Sequence, residues 1–492
     1  MENSLSLTSC SFLSLLFVIH FIPLAASTPL YLSFLQCLSK HSDPSEHILS
    51  RVYTPNNSSY KPVLRHYIRN QRFNRSTTQP DLIFTPLQES HVQVAVICSR
   101  KTDKYLKIQS GGHDYEGISY VTNISFVLLD MSNLRSIDVA IQIETAWVQA
   151  GALLGDLYKR IWEKSKIHAF PAEVCPTLRK YGLSVDNLID ARIVDVHGRF
   201  LNRESMGEDL FWAIRGGGGA SFGVVCPTKL GWIVRTLEES AIDIVYRWQF
   251  IEDKIDNNLF IRLTLKPIDE KQEGTKTITA IFVALFLGDS RTLLPIMDRD
   301  FPHLSLHIDD CKEMSWIESE RFWTSFPSGT LPDALLNQKP GAKFLKHKSD
   351  YLWKPIPKDK LKSIFDKMIE LGDIFNQYGG RMNKIPERET PFPHRAGNIF
   401  KIQYAANWGE RRKGILYNYM TPFVSKSPRC AFLNYRDLDI GVNHNGNNRY
   451  TEGRVYGLKY FKDNFNKLVK IKTLVDPDNF FWNEQSIPPL AA

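Results

Sequence analysis

A chain of 492 residues with 43% hydrophobic and 12% aromatic content can fill sizeable cores, which excludes a disordered or fibrous protein. Its net charge of +8 comes from 61 basic residues scattered among 53 acidic ones, not from a basic stripe, so no nucleic-acid partner is expected. At ~150 residues per domain the length allows two to four domain-sized units.

The first 27 residues read as a secretory signal. Ser11 to Leu24 is apolar apart from Ser14, His20 and Pro23, and Ala25-Ala26-Ser27 supplies small residues for cleavage. The run falls short of the ~20 apolar residues that span a bilayer, so no membrane association is expected after cleavage. Secretion gives meaning to the glycosylation sequons at Asn56, Asn57, Asn74 and Asn123. An oxidising compartment also permits disulfides among Cys37, Cys98, Cys175, Cys226, Cys311 and Cys430. None of these forms a Cys-x-x-Cys pair, and no metal is expected.

Tyr31 to Leu49 reads as a short helix, Tyr60 to Asn74 as a connector and Asp81 to Thr85 as a strand. Ser90 to Arg100 is an amphipathic helix with Val92, Val94, Ala95 and Val96 inward. Phe126 to Met131 and Ala146 to Ala150 read as buried strands, Leu153 to Ser165 as a helix and Leu188 to Val196 as a strand before the turn His197-Gly198. Arg215 to Gly223 is a glycine-rich loop able to line up N–H donors around a phosphate. Charged helices and short strands alternate from about Ile242 to Asp439. Tyr456 to Leu474 is a helix with Tyr460, Phe461, Phe465, Leu468 and Val469 on one face, stopping at Asp476-Pro477.

The strand-like Leu106-Lys107-Ile108-Gln109 runs into Ser110-Gly111-Gly112-His113-Asp114-Tyr115-Glu116-Gly117. Adjacent glycines allow a tight turn and close approach to a bulky ligand, so His113 is offered to that ligand at a strand end. An ordinary turn with a solvated histidine is the other reading of the octet alone. A hydrolase using His113, Asp114 and Glu116 on a metal lacks a second ligand cluster at metal spacing.

The octet, Cys175-Pro176-Thr177, Arg179-Lys180-Tyr181-Gly182-Leu183, Phe211 to Gly219, Pro391 to Asn398 and Asn434 to Asp439 together resemble the berberine bridge enzyme-like family of plant secreted FAD-linked oxidases. The likeness runs from about Tyr31 to Pro489. It implies an α+β fold, with a two-part FAD-binding domain (PCMH-type) and an inserted antiparallel-sheet substrate domain backed by helices. The implied division is a signal at 1–27, the FAD-binding domain at 28–236 with its PCMH-type core at about 77–236, the substrate domain at 237–445, and a C-terminal berberine-bridge segment at 446–492.

By the same resemblance FAD is joined covalently to His113 and Cys175, and Ser110, Gly111, Gly112, Asp114, Tyr115, Gly117 and Asn483 belong to its binding site. Cys37 and Cys98 form the family's N-terminal disulfide, and the remaining cysteines are buried free thiols by default. Tyr435 is the catalytic base, Lys401 the cation that lowers its pKa from ~10, and Gln403 a substrate contact. Phe432 replaces the first tyrosine of the family's Tyr-x-Asn-Tyr-Arg-Asp motif. The implied activity is oxidation of a small-molecule substrate (carbohydrate, monolignol or specialised metabolite) by hydride transfer to flavin. Dioxygen is the expected acceptor and the apoplast the expected location of a monomeric protein.

The chain departs from the family beside the cofactor. Cys175-Pro176-Thr177-Leu178 runs directly into Arg179, where roughly 15 residues are absent, including glycines suited to close backbone approach. The stretch Cys226 to Trp232 is shorter than the family pattern by roughly 10 residues and carries a proline where a strand would run. Gln109 stands where an arginine is common. These losses leave an alternative: a member that no longer binds flavin and does not catalyse.

Overall fold

The computed structural model describes residues 30–66, 68, 70–73, 79–166, 168, 170, 178–223, 241–251, 254–269, 276–323, 332–337, 344–368, 372–406 and 417–490. The expected signal segment, Cys175, Cys226, the Asn74 sequon and the stretch from Cys226 to Trp232 lie outside them.

The first sheet contains β1 (Val52–Tyr53), β2 (Leu82–Phe84), β3 (Tyr105–Gln109) and β4 (Phe126–Asp130) in the order β1-β2-β4-β3. The pairs β2–β4 and β3–β4 are parallel, and β1 joins antiparallel. All five residues of β4 are buried, as a parallel strand covered on both faces requires. The helix Glu89–Lys101 packs against this sheet through Val92, Val94, Ala95 and Val96. Glu89 in its first turn and Arg100 and Lys101 in its last complement the helix dipole. The expected Cys37–Cys98 disulfide ties it to the helix Leu30–His41, and closing that loop is worth about 4 kcal/mol by chain entropy.

Several local expectations are corrected. Tyr60–His66 is a helix, because Tyr60 and Leu64 lie one turn apart and are both buried. In place of a buried strand at Ala146 to Ala150, β5 (Ile137–Ala140) and β6 (Thr145–Val148) form a hairpin that buries Val148 and leaves Trp147 45% exposed. Leu188 to Val196 reduces to β7 (Ile193–Val194), paired with β8 (Phe200–Leu201), since the Asp195 carboxylate takes the N–H groups of His197 and Arg199 and turns the chain. The C-terminal helix is two, Arg449–Phe461 and Asn464–Val475, separated where Lys462 adopts φ 46°. Cys430 is buried, but Cys311 is only half-buried.

In the glycine-rich loop part of the donor set is spent on backbone carbonyls. The N–H groups of Gly217, Ser221, Phe222 and Gly223 bond to the carbonyls of Ala213, Gly218 and Gly219, so these four are not offered to a phosphate. Gly217 is a packing glycine: a Cβ there would lie 2.4 Å from the Ala213 carbonyl oxygen and 2.5 Å from the Leu468 side chain.

The second sheet contains β9 (Leu259–Asp269), β10 (Lys276–Phe286), β11 (Lys346–Leu352), β12 (Gly372–Gln377) and β13 (Phe400–Ala406). Its order is β10-β9-β12-β13-β11, antiparallel throughout, as expected for a sheet backed by helices. Phe400, Ile402, Tyr404, Leu263 and Leu265 pack with the helices Ala241–Ile251, Ser290–Asp300 and Lys358–Met368. The alternation of β13 therefore turns Lys401 and Gln403 to the opposite face.

The segment Pro391 to Asn398 leads into β13. His394 is buried, stacked on Tyr351 at 4.3 Å, with Nε2 2.9 Å from the Tyr460 carbonyl oxygen. Burial, with Lys462 and Arg395 nearby, pulls its pKa from 6.5 down to about 3. The native state holds the imidazole neutral and only the unfolded chain takes the proton. The contribution is therefore fully present above pH 6.5 and is lost as pH falls toward 3. Between pH 6.5 and 5 the protein is expected to lose about 2 kcal/mol more stability than His394→Gln. Denaturant unfolding at the two pH values checks this, and parallel losses would refute it.

Candidate active site

The octet folds as a loop at the C-terminal end of β3. Asp114 braces it, accepting the N–H of Glu116 at 2.9 Å and of Ser119 at 3.0 Å. Gly117 has φ 68°, and a Cβ there would meet the Phe73 ring at 2.8 Å. Gly112 also has positive φ, at 65°. From beneath, the Lys107 ammonium donates to the carbonyls of Ile118 (2.9 Å) and Val121 (3.1 Å) and pairs with Glu484. Ser110 donates its hydroxyl to the Ala150 carbonyl. His113 and Ser110 are exposed, Gly111 and Tyr115 half-buried.

The facing wall comes from the second sheet and the turn Leu433–Tyr435. Tyr435 is 4% exposed, edge-on to Phe432 at 5.1 Å and tilted against Tyr115 at 6.1 Å. The Lys401 ammonium sits 3.8 Å from the Phe432 ring centroid and 5.0 Å from that of Tyr435. Gln403 Nε2 donates to the Tyr115 hydroxyl at 3.2 Å. The sequence-predicted Tyr115, Lys401, Gln403 and Tyr435 thus meet in one place, two residues along the loop from His113. Asn483 lies in the C-terminal turn, where its Oδ1 accepts the N–H of Gln485 at 3.0 Å. Gln485 in turn donates to the Asp437 carbonyl, two residues beyond Tyr435.

Sequence reasoning missed what locks the two walls together. Lys346 Nζ lies 2.6 Å from Glu116, 2.7 Å from Asp437 and 3.0 Å from Asp439. Lys348 pairs with Asp437 at 2.8 Å and Asp439 at 2.5 Å, and Arg72 stands 3.7 Å from Glu116. Three cations balance three carboxylates. Burial pulls the Lys346 pKa down, but Asp437 and Glu116 outweigh it and hold the amine above its ordinary value. Burial pushes Asp439 up, while its bonds to Lys348 and Lys346 prevail and bring it below the usual carboxylate range. Beside this cluster the Asn70 amide donates to the carbonyls of Tyr115 and Leu345, both at 2.8 Å, and accepts the N–H of Leu345 at 3.2 Å. The outer edge of β11 is covered in part by backbone as well, through the Ser425 N–H on the Tyr351 carbonyl and a bridge between Leu352 and Val424. Every residue of Lys346–Leu352 is buried although the strand carries two lysines, a histidine and an aspartate, which must then have partners, and nothing in the sequence marked that burial.

His347 was also missed. Its ring stacks on Tyr115 with centroids 4.0 Å apart, and its Nδ1 lies 3.0 Å from Gln403 Nε2.

Comparison with known proteins agrees with this arrangement. Residues 80–203 match the family described as FAD binding domain, and residues 431–488 match Berberine and berberine like. Berberine bridge enzyme-like 21 of Arabidopsis thaliana is 49% identical over 507 positions, covering 94% of each chain. That alignment is longer than this chain of 492 residues, so the chain lacks positions its relative has. Tetrahydroberberine oxidase of Berberis wilsoniae is 46% identical, covering 95% of this chain and 96% of its own. Among solved structures, Phl p 4, a grass pollen allergen with glucose dehydrogenase activity, superposes with a TM-score of 0.84 at 39% identity, over 93% of this chain and all of that one. The loop, the polar sheet face and these relatives together place the chain in the berberine bridge enzyme-like family of FAD-linked oxidoreductases.

Proposed function

We propose that the protein is a secreted, monomeric oxidase of a hydroxyl-bearing small molecule, with FAD held covalently by His113 and Cys175 and dioxygen as final acceptor. The observation that carries this reading is the meeting of the His113 loop with Lys401, Gln403 and Tyr435 through Tyr115. The residues at the end of β3 fit a flavin. Gly112 and Gly117 keep the turn tight, and His113 is exposed. The buried Gln109 side-chain oxygen has no hydrogen-bond partner among the described residues, which leaves an acceptor for a ligand hydroxyl or N–H.

When bound, FAD accepts the hydride that leaves the substrate carbon. Tyr435 takes the hydroxyl proton, with the Lys401 ammonium as compensating charge for its phenolate. Gln403 and Tyr115 orient the hydroxyl, and the ion pairs of Lys346 hold Tyr115 and Tyr435 in register. The exposure of Asn56, Asn57 and Asn123 suits glycan attachment in a secreted protein. The proposed domains remain 28–236, 237–445 and 446–492.

An absorption spectrum before and after acid precipitation tests the reading. The expected result is a yellow pellet from the parent and a colourless one from His113→Ala/Cys175→Ala. A colourless parent would overturn the proposal in favour of a member that has lost flavin, the reading suggested by the shortened sequence after Cys175.

A further inference from the structure

The outer edge of β11 carries the chain from Val424 to Phe432, which leads into the turn of Tyr435. Three neighbouring residues of β11 grip that chain. The Ser425 N–H donates to the Tyr351 carbonyl at 3.0 Å, and the Phe432 N–H donates to the Ser349 hydroxyl at 2.8 Å. Between these bonds the Arg429 guanidinium forks onto the Asp350 carboxylate, with Nε 2.7 Å from one oxygen and Nη2 bonded to the other. Phe432 passes the placement on. Its carbonyl accepts the Tyr435 N–H at 2.9 Å, and its ring meets both the Tyr435 ring and the Lys401 ammonium.

Asp350 is fully buried, on the face of β11 that also carries Lys346 and Lys348. Burial pushes its carboxyl from 3.8 up to about 6, against the bonds and charge of Arg429, a hydrogen bond from Tyr404 of β13 and the charge of Lys348. Burial and the nearby Asp350 hold the Tyr417 phenol well above its ordinary value, so it stays neutral, and Lys348 keeps Asp437 and Asp439 as partners. Asp350 is therefore the anchor on β11 that a proton can open. A protonated carboxyl turns one oxygen into a donor, so one arm of the fork loses its acceptor. Arg429 is then left with the Tyr417 carbonyl at 2.6 Å, the Tyr417 ring at 3.4 Å and the Thr421 hydroxyl at 2.9 Å. None of these lies on β11.

We infer that Asp350 is a positioning residue for proton transfer: ionised, it fixes Arg429 and so seats Phe432 and Tyr435 on β11, and protonated, it lets that seat shift. This rests on the proposed role of Tyr435 as base. A misplacement of ~1 Å at a reacting group can cost about 10²-fold in rate, so a shift of a few tenths of that size accounts for about 10-fold.

The test uses the holoprotein labelled with 3-fluorotyrosine, its Tyr435 fluorine resonance assigned by loss in Tyr435→Phe. In the parent that resonance should move between pH 5 and 7 with a midpoint near 6. In Asp350→Asn, whose amide imitates the protonated carboxyl, it should stay near the acid position throughout. Stopped-flow reduction of the flavin, by whichever of coniferyl alcohol and cellobiose bleaches it faster, should speed up about 10-fold over the same range in the parent. The variant should run at the slow acid rate at every pH. A merely structural loss would instead lower the rate and leave the parent's pH step in place.

A Tyr435 resonance that titrates in Asp350→Asn as it does in the parent would overturn the inference. Should that variant fail to fold, Arg429→Lys decides: it keeps the charge but cannot span both carboxylate oxygens, so burial is less opposed and the midpoint should rise. An unmoved midpoint there would overturn the inference as well. If Asp350→Asn abolishes the shift while Tyr435→Phe reduces flavin at the parent rate, the positioning stands and the role of Tyr435 as base falls. A slow Tyr435→Phe with an unshifted resonance in the parent would do the reverse.

Discussion

Tyr435→Phe is expected to slow anaerobic flavin reduction by about 10²–10⁴-fold while the protein stays folded and yellow, the usual span for loss of a positioned proton acceptor. The substitution is conservative in every respect but one. The ring keeps its edge-on contact with Phe432, its tilt against Tyr115 and its place beside Lys401, and only the hydroxyl is lost. A base that acts only as the bond breaks contributes to the transition state and not to the ground state, so kcat and kcat/KM should fall together with little change in substrate affinity. Stopped-flow spectroscopy of the bleaching flavin measures this directly. A parent rate in the variant would remove Tyr435 as base. A changed KM at constant kcat would make it a binding residue instead.

The residues of the site that were legible in the sequence are those in contiguous motifs. The glycines of the octet announce a turn through their own backbone chemistry, and β13 announces its polar face by alternating Phe400, Ile402 and Tyr404 with Lys401 and Gln403. The residues that hold the site together were not legible, because each acts across a long separation. Lys346 meets Glu116 over 230 positions, and Asn70 meets Leu345 over 275. Only the fold creates these pairs, and within a segment a lysine or an asparagine reads as a solvated side chain. The same limit explains the glycine-rich loop. Its composition fits a phosphate cradle, and only the structure shows the packing of Leu468 on Gly217 and the four N–H groups already bonded to backbone carbonyls. The break at Lys462 escaped for another reason: apolar residues continue at helical spacing on both sides, and the left-handed residue there is not a glycine.

The hidden clasp carries the largest expected effect on stability. Lys346→Met should destabilise the protein by about 3 kcal/mol at pH 7, the lower end of the cost of orphaning a buried charge. The lower end applies because Asp437 keeps Lys348 at 2.8 Å and Glu116 keeps Arg72 at 3.7 Å. Glu116 itself is 3% exposed and loses its nearest cation, so in the variant its carboxylate is the unfavourable form. A native-state pKa raised in this way makes the deficit greatest above that pKa, and the deficit shrinks as acid protonates the group. Lys346→Met should therefore be closer to the parent at pH 5 than at pH 7. Adding Glu116→Gln should recover part of the loss at pH 7, because a neutral amide leaves no charge unpaired. Denaturant unfolding of the parent, both single variants and the double variant at the two pH values yields the coupling. A single variant within 1 kcal/mol of the parent at both pH values would mean that Lys348 and Arg72 hold the loop without Lys346. With the predicted loss, the stack of Tyr115 on His347 becomes conditional on a charge cluster formed across the sheet, and KM should rise in Lys346→Met even where the protein remains folded.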